Sequence, residues 1–486
     1  ANNTAVGYAS LSANTTGGQN TAVGQGAAES NTTGLSLSAF GRQALEANTT
    51  GDFNTAVGQR ALFKNTTADN NTAVGNHALL ENTTGADNVA MGVNSLDANT
   101  TGNYNVAIGT AALTTNTTAS NNTAVGQSAL SLNTTGASNT ALGHNAAANS
   151  TTAANNTALG VNALNVNTTG ATNVAVGSGA LLRNTTASNN TSVGYNSLTT
   201  NTTGTQNVAV GTYALDANTT ANNNIAVGYS ALGTNTTGAS NVAIGTSALQ
   251  LNTTGVANTA MGIDALTATT TGSNNTAVGS GAGGAVTTGV RHTLLGDDAA
   301  IALVTGNDCI AIGHGSEMSA TDAASQIAMG TDVTCIANGN FTFGAGTSDS
   351  NISNGATTIT APSDIRLKED IQDEEVGLAF INDLRPVTFQ WKKEKDCPSH
   401  MKVYKEGSEE RVMNGKYNHG FIAQEVKEVI NNHNLKEGFD MWAEDEADGR
   451  QRIGEAALMS VMVKAVQELS TTVDELKQEL KTLKGE

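Results

Sequence analysis

The sequence predicts a mainly β protein: a repetitive parallel β-roll or β-solenoid fibre of 17-residue coils, followed by a small α+β domain that ends in a coiled-coil helix. Three observations carry this: a period of 17, a period of two inside each repeat, and an abrupt change of composition near residue 362. Aligned on Asn-Thr-Ala-Val-Gly, glycines fall at 7, 24, 41 and onward to 330, 20 of them at one constant step, and a final step of 14 leads to Gly344. The residue before each of the 20 is apolar (Val6, Phe40, Met91, Ile108), and the one before that is Ala except at Ser192 and Leu294. Alternation over so few residues, broken by turn residues every cycle, is the pattern of a solenoid whose coils each give a short strand to a stacked sheet. At the inter-strand spacing, the 19 steps between those glycines make a rod of roughly 90 Å.

The other repeat positions follow from the same stacking. Leu four residues past the glycine (Leu45, Leu62, Leu79) can stack on its own copies, and Pro is absent from residues 1–361, as expected where backbone donors are committed to ladders. Each coil closes through Asn-Thr-Thr-Gly or Asn-Thr-Thr-Ala. Where the fourth residue is Ala (Ala68, Ala119, Ala153), Asn follows two later (Asn70, Asn121, Asn155). Gly and Asn both tolerate left-handed backbone, so two turn types are expected, with the left-handed residue at different points. The Asn four before each glycine recurs in 16 of the first 17 coils, Leu37 excepted, and reads as a hydrogen-bonded ladder. His292, Cys309 and Gln326 continue that register, which favours worn ladder positions over metal ligands. The Asn-Thr-Thr triplets are formal glycosylation acceptors, but they track the coil and read as turns.

Composition removes several function classes. Residues 1–362 hold five basic residues (Arg42, Arg60, Lys64, Arg183, Arg291) and the rest hold 18 of the 23, within a net charge of −19. That balance argues against nucleic acid and anionic polysaccharide. The three cysteines (Cys309, Cys335, Cys397) form no CxxC pair, so no metal, cofactor or disulfide framework is expected. No apolar run is long enough to span a membrane, so no membrane insertion is expected. No signal peptide is visible, and starting mid-repeat at Ala1 the sequence reads as processed or truncated.

Asn-Thr-Ala-Val-Gly followed by Ala-Leu resembles the repeats in head domains of trimeric autotransporter adhesins and of many phage fibres. The likeness covers residues 1–346 and implies a left-handed parallel β-roll, three of which pack around a common axis. A Ser/Thr/Asn/Gly-rich stretch then reads as a linker over 347–362. Beyond it, domain 363–486 carries Ser363-Asp364-Ile365-Arg366-Leu367-Lys368, Phe389-Gln390-Trp391-Lys392 and Gly420-Phe421-Ile422-Ala423-Gln424-Glu425-Val426. From about 456 to 484, Met459, Met462, Val466, Leu469, Val473, Leu476, Leu480 and Leu483 alternate steps of three and four, a coiled-coil seam that suits a parallel trimer.

These four features in order resemble the endosialidase-type intramolecular chaperone peptidases. The resemblance implies a domain that trimerises, templates the fibre and then cuts the bond before its own serine. Carried over, Ser363 is the nucleophile, Lys368 its general base and Pro362–Ser363 the scissile bond; Asp364, His419 and Glu425 are candidate supporting residues, with a role in the fold alone as the alternative for His419 and Glu425. The chemistry is intelligible by itself, since a serine hydroxyl becomes a good nucleophile when a neighbouring base takes its proton, and burial favours the neutral form of a lysine. An isolated Ser-x-x-x-x-Lys also reads as a helix cap beside a solvated lysine.

The leading functional expectation is therefore a homotrimeric fibre of a virion or cell surface, matured by one self-cleavage. It would display variable residues after each glycine (Tyr8, Arg42, His144, Tyr195, Tyr229) to a host-surface glycan or protein receptor. The alternatives are a glycan-degrading tailspike and a purely architectural filament. Glycoside hydrolysis ordinarily needs two flanking carboxylates, and the sequence has no Asp or Glu between Asp97 and Asp216.

Overall fold

In the computed structural model, nineteen three-residue strands, from β1 (Thr4–Val6) to β19 (Ile310–Ile312), recur at the 17-residue step, and β20 (Ile327–Thr331) completes the series. Each pairs in parallel with the next, Ala5 opposite Ala22 and Val6 opposite Val23, and so on up the rod. The structure describes residues 2–356, 359–360, 363, 365–413, 415–435, 441–444 and 449–485, without the side chains of Leu367 and Glu455. They fall into two compact units, Ala1–Pro362 and Ser363–Glu486.

In-register stacking sets every side chain on its own copies, so the two-residue period decides the core. The strand's middle residue faces inward: Ala22, Ala56 and Ala90 are fully buried and belong to one continuous cluster with Leu45, Leu62 and Leu79. The large residue beside it faces outward, as Met91 at 42% and Leu142 at 50% exposure show. The two exceptions to the inward Ala confirm how little room the coil has. Leu294 puts its Cδ1 within 2.5 Å of where a side chain on Gly283 would begin, so a larger strand residue is matched by loss of the turn Leu. Ser192 is met by Ser197 across the same coil, with their hydroxyls 2.5 Å apart.

Two asparagine ladders, not one, run along the rod. The expected one links coils through the backbone: Asn71 N donates to Asn54 Oδ1 at 2.9 Å, and Asn71 Nδ2 to the Gly85 carbonyl at 2.9 Å. The second is made by the Asn of Asn-Thr-Thr. Asn48 Nδ2 donates to Asn31 Oδ1 of the neighbouring coil and to Gly51 O of its own turn, both at 3.0 Å. These Asn residues are fully buried, which removes them as glycan acceptors and accounts for their recurrence, since a buried amide left unpaired costs about 1–3 kcal/mol. Thr hydroxyls add a third column, as in Thr49 Oγ1 to Thr66 O at 3.0 Å.

The expectation of two turn types fails, because the Gly and Ala forms of the 17-residue coil share one turn. The residue two past the Gly or Ala of Asn-Thr-Thr-Gly/Ala is left-handed in both forms: Gln19 has φ 62° after Gly17, and Asn70 has φ 59° after Ala68. Gly17 and its equivalents have no positive φ. Crowding is the reason they are glycine: a Cβ on Gly17 would lie 2.5 Å from Asn14 Oδ1 and 2.5 Å from Gly34 O of the next coil. Ala accordingly never follows Ala in neighbouring coils at this position. Left-handed backbone is also imposed on the core Leu, with Leu45 and Leu62 at φ 53° and 51°. That conformation costs roughly 1–2 kcal/mol, which burial of a Leu side chain, worth about 1.5–3 kcal/mol, offsets.

At the end of the rod β21 (Asn340–Ala345) joins β20 in parallel, and β22 (Ser348–Ser353) turns back on β21 in antiparallel pairing. The first part of the stretch read as a linker is therefore strand. Near this end the Asn ladder passes through His292, whose Nδ1 accepts from Cys309 N at 3.2 Å while Asn275 Oδ1 accepts from His292 N at 3.0 Å. Burial holds its pKa down, against the Gly306 carbonyl and Asp308, which raise it. A neutral ring is the form that fits, so the folded chain refuses a proton that the unfolded chain takes up as pH falls through about 6.5. Stability from this site is present above that pH and lost below it. His292→Asn should therefore flatten the acid side of a plot of melting temperature against pH; an unchanged acid limb would contradict the assignment.

In the second unit, α1 (Leu378–Asp383), β23 (Val387–Phe389), β24 (Asn418–Gly420), α2 (Ala423–Asn432), β25 (Trp442–Glu444), β26 (Gln451–Ile453) and α3 (Leu458–Lys484) follow in order. The β23–β24 and β25–β26 pairs are antiparallel. Phe380, Leu384, Val426, Met441, Leu458 and Val461 form its core. Helix α1 has no side-chain cap of its own, and Glu468 of α3 supplies one by accepting from Leu378 N at 2.7 Å. The rest of α3 leaves its seam in solvent, from Met459 at 68% to Leu483 at 85% exposure.

Candidate active site

Ser363 opens the second unit, and a single 3₁₀ turn over Ile365–Leu367 follows it. Lys368 N donates to Ile365 O at 3.2 Å, closing that turn. The fold-back brings a side chain five residues away onto the serine, where Lys368 Nζ donates to Ser363 Oγ at 2.7 Å. This is the spacing required for proton transfer between a nucleophile and its base. Both side chains are exposed in the single chain, so the geometry is present without the burial that would favour a neutral amine.

The other residues read as supporting ones go elsewhere. Glu425, on α2, is held by Arg385 in a bidentate pair, with Arg385 Nε donating to Oε2 at 2.9 Å. That hydrogen bond lowers the Glu425 pKa. His419 lies on β24 opposite Thr388 and borders a shallow depression lined by Val387, Phe421, Leu458 and Met462. Among the described residues neither hydrogen-bonds to Ser363 or Lys368. Asp364 and Pro362, and with Pro362 the carbonyl side of the expected scissile bond, lie outside the described residues.

Residues 363–435 match the family described as chaperone of endosialidase. The matched segment starts on Ser363, contains Lys368, β23, β24 and α2, and ends before β25 and α3. Neither the curated proteins nor the solved structures give a match to the chain.

Other chemistry has less to stand on. Asp97 and Asp216 are half-buried carboxylates in the rod, and burial pushes both pKa values up. They occupy equivalent positions seven coils apart, roughly 34 Å along the stack, whereas a glycosidase pair is separated by about 5–10 Å. Among the described residues no cluster of three His, Cys, Asp or Glu side chains is arranged to hold a metal, and no helix is long and apolar enough to cross a membrane. The sequence did not signal the Glu468 cap, because its partner is 90 residues away. It also passed over Tyr213, which sits one place later in its coil than Tyr195 and Tyr229.

Proposed function

We propose that the protein is a homotrimeric fibre of the phage tail-fibre or tailspike type. On this reading it is exposed on the virion, attaches to a host-surface receptor, and is folded by an intramolecular chaperone, residues 363–486, that cuts the chain once before Ser363. The observation that carries the reading is that one chain leaves two long apolar faces in solvent. One is the outward strand column of the rod, where Val57, Met91, Ile108, Leu142, Ile244 and Met261 are exposed and residues on coils between them, such as Leu159 and Val193, are half-buried. The other is the α3 seam through Val466, Leu469, Val473, Leu476 and Leu480. Exposed apolar surface this continuous marks an interface, and a seam with heptad steps is satisfied by copies of itself. The family match over 363–435 adds that a chaperone of this kind is present.

Trimer assembly would also bury the Ser363–Lys368 pair and so time the cut to follow folding. The test is the molar mass of the uncleaved Ser363→Ala chain by light scattering. Three chains per particle are expected, and Leu469→Glu with Leu476→Glu on α3 should abolish the trimer. A monodisperse monomer from the Ser363→Ala chain would overturn the reading.

A further inference from the structure

We infer that Tyr195, Tyr213 and Tyr229 form a platform for an uncharged saccharide chain, an inference that rests on the proposed attachment role and names its ligand class. Three of the chain's 7 Tyr residues fall on three consecutive coils. Their rings meet edge to face, with centroids 5.6 Å apart between Tyr195 and Tyr213 and 6.2 Å between Tyr213 and Tyr229. They remain open to solvent nonetheless, Tyr195 and Tyr229 being about half exposed. The backbone beneath is fixed by the coil ladder: Tyr213 N donates to Tyr195 O at 3.1 Å and Ser247 N to Tyr229 O at 2.9 Å. Tyr213 takes a left-handed site, φ 58°, that neighbouring coils fill with Asn196 and Ser230, so a bulky ring stands there against backbone preference.

The chemistry around the rings selects the ligand. From the Gly160 coil to the Gly245 coil, the two positions after the glycine carry no ionisable group apart from these tyrosines, and Ser178, Asn196, Thr212 and Thr246 offer neutral donors and acceptors instead. Aromatic faces with a few hydroxyls and amides suit the apolar C–H faces and the hydroxyl edges of a neutral sugar. They give a phosphate, sulfate or carboxylate no counter-charge. Two coil steps, roughly 10 Å, separate Tyr195 from Tyr229, which gives the platform the length of a short oligosaccharide.

The experiment measures retention of the whole fibre on immobilised mannan, galactan, dextran and chitohexaose, with heparin as the charged probe. Wild type should be retained on at least one neutral glycan with little dependence on salt. Tyr195→Ser/Tyr213→Ser/Tyr229→Ser should weaken that retention by about tenfold or more, while Tyr8→Ser/Tyr104→Ser should not. The platform is excluded if wild type prefers heparin or binds none of the probes, if the triple variant binds as wild type does, or if the triple variant sediments as a smaller species, which would make the tyrosines subunit contacts. Equal adhesion of wild type and triple variant to whole bacterial cells would remove the platform and leave attachment standing. No adhesion by either would remove attachment itself.

Discussion

A chain carrying Ser363→Ala is expected to run on a denaturing gel as one full-length band, where the wild type separates into a rod of 362 residues and a module of 124, since 486 − 362 = 124. For the proposed self-cleavage, the chemistry gives the order of events. Ser363 Oγ, relieved of its proton by the Lys368 amine once assembly buries the pair, would add to the carbonyl carbon of residue 362. The peptide nitrogen of Ser363 leaves with a proton, an ester remains, and water hydrolyses it to a carboxylate and the restored hydroxyl. Losing the base costs about 10²–10⁴ in rate, so Lys368→Ala should leave most of the chain uncut over the time in which wild type is fully split. Lys368→Arg should do the same, because a guanidinium keeps its proton at any working pH. The bidentate Arg385–Glu425 pair predicts the contrast: Glu425→Gln loosens α2 against the residues after α1 without touching the serine, and cleavage should persist. Identical band patterns for wild type and Ser363→Ala would sink the assignment.

What could be read from the sequence was whatever the period repeats. A step of 17 fixes coil, register and parallel pairing at once, because in-register stacking admits no other partner for each strand. The repeat could not say which member of the Ala-Val pair faces inward, since both are apolar; the thin coil decides it, and Leu294 against Gly283 shows the limit. Nor could it reveal that Asn48 and Asn71 belong to two separate ladders, because an Asn in a turn and an Asn in a buried column look alike in composition. The turn error has the same origin. In sequence, Gly17 reads as a source of conformational freedom, whereas the coil needs it for lack of volume. In the second unit the resemblance of four ordered motifs named Ser363 and Lys368, since their spacing alone also reads as a helix cap beside a solvated lysine, while Glu425 belongs to Arg385, 40 residues away, through a contact no local pattern announces.

Gly211→Ala should be strongly destabilising although it leaves every other side chain of the rod intact. Gly211 sits at the end of its strand with φ 135°, a conformation L side chains rarely adopt, and a Cβ there would lie 2.7 Å from the Gly228 carbonyl carbon of the next coil. The same glycine column runs the length of the solenoid, so the neighbour cannot retreat without pressing on the coil beyond it. Backbone strain of this kind costs about 1–3 kcal/mol, and forced overlap in packed structure adds about 1–3 kcal/mol more. Because coils contact only their neighbours, the loss should be local: amide exchange should accelerate across the coils flanking residue 211 and stay slow around Ala56 and Leu62. Gly233→Ala is the control, since Gly233 has no positive φ and other coils place Glu46, Phe63 or Asp97 at its position. Equal exchange protection in Gly211→Ala and Gly233→Ala would mean that the glycine column is a habit of the repeat and not a requirement of the close approach between coils.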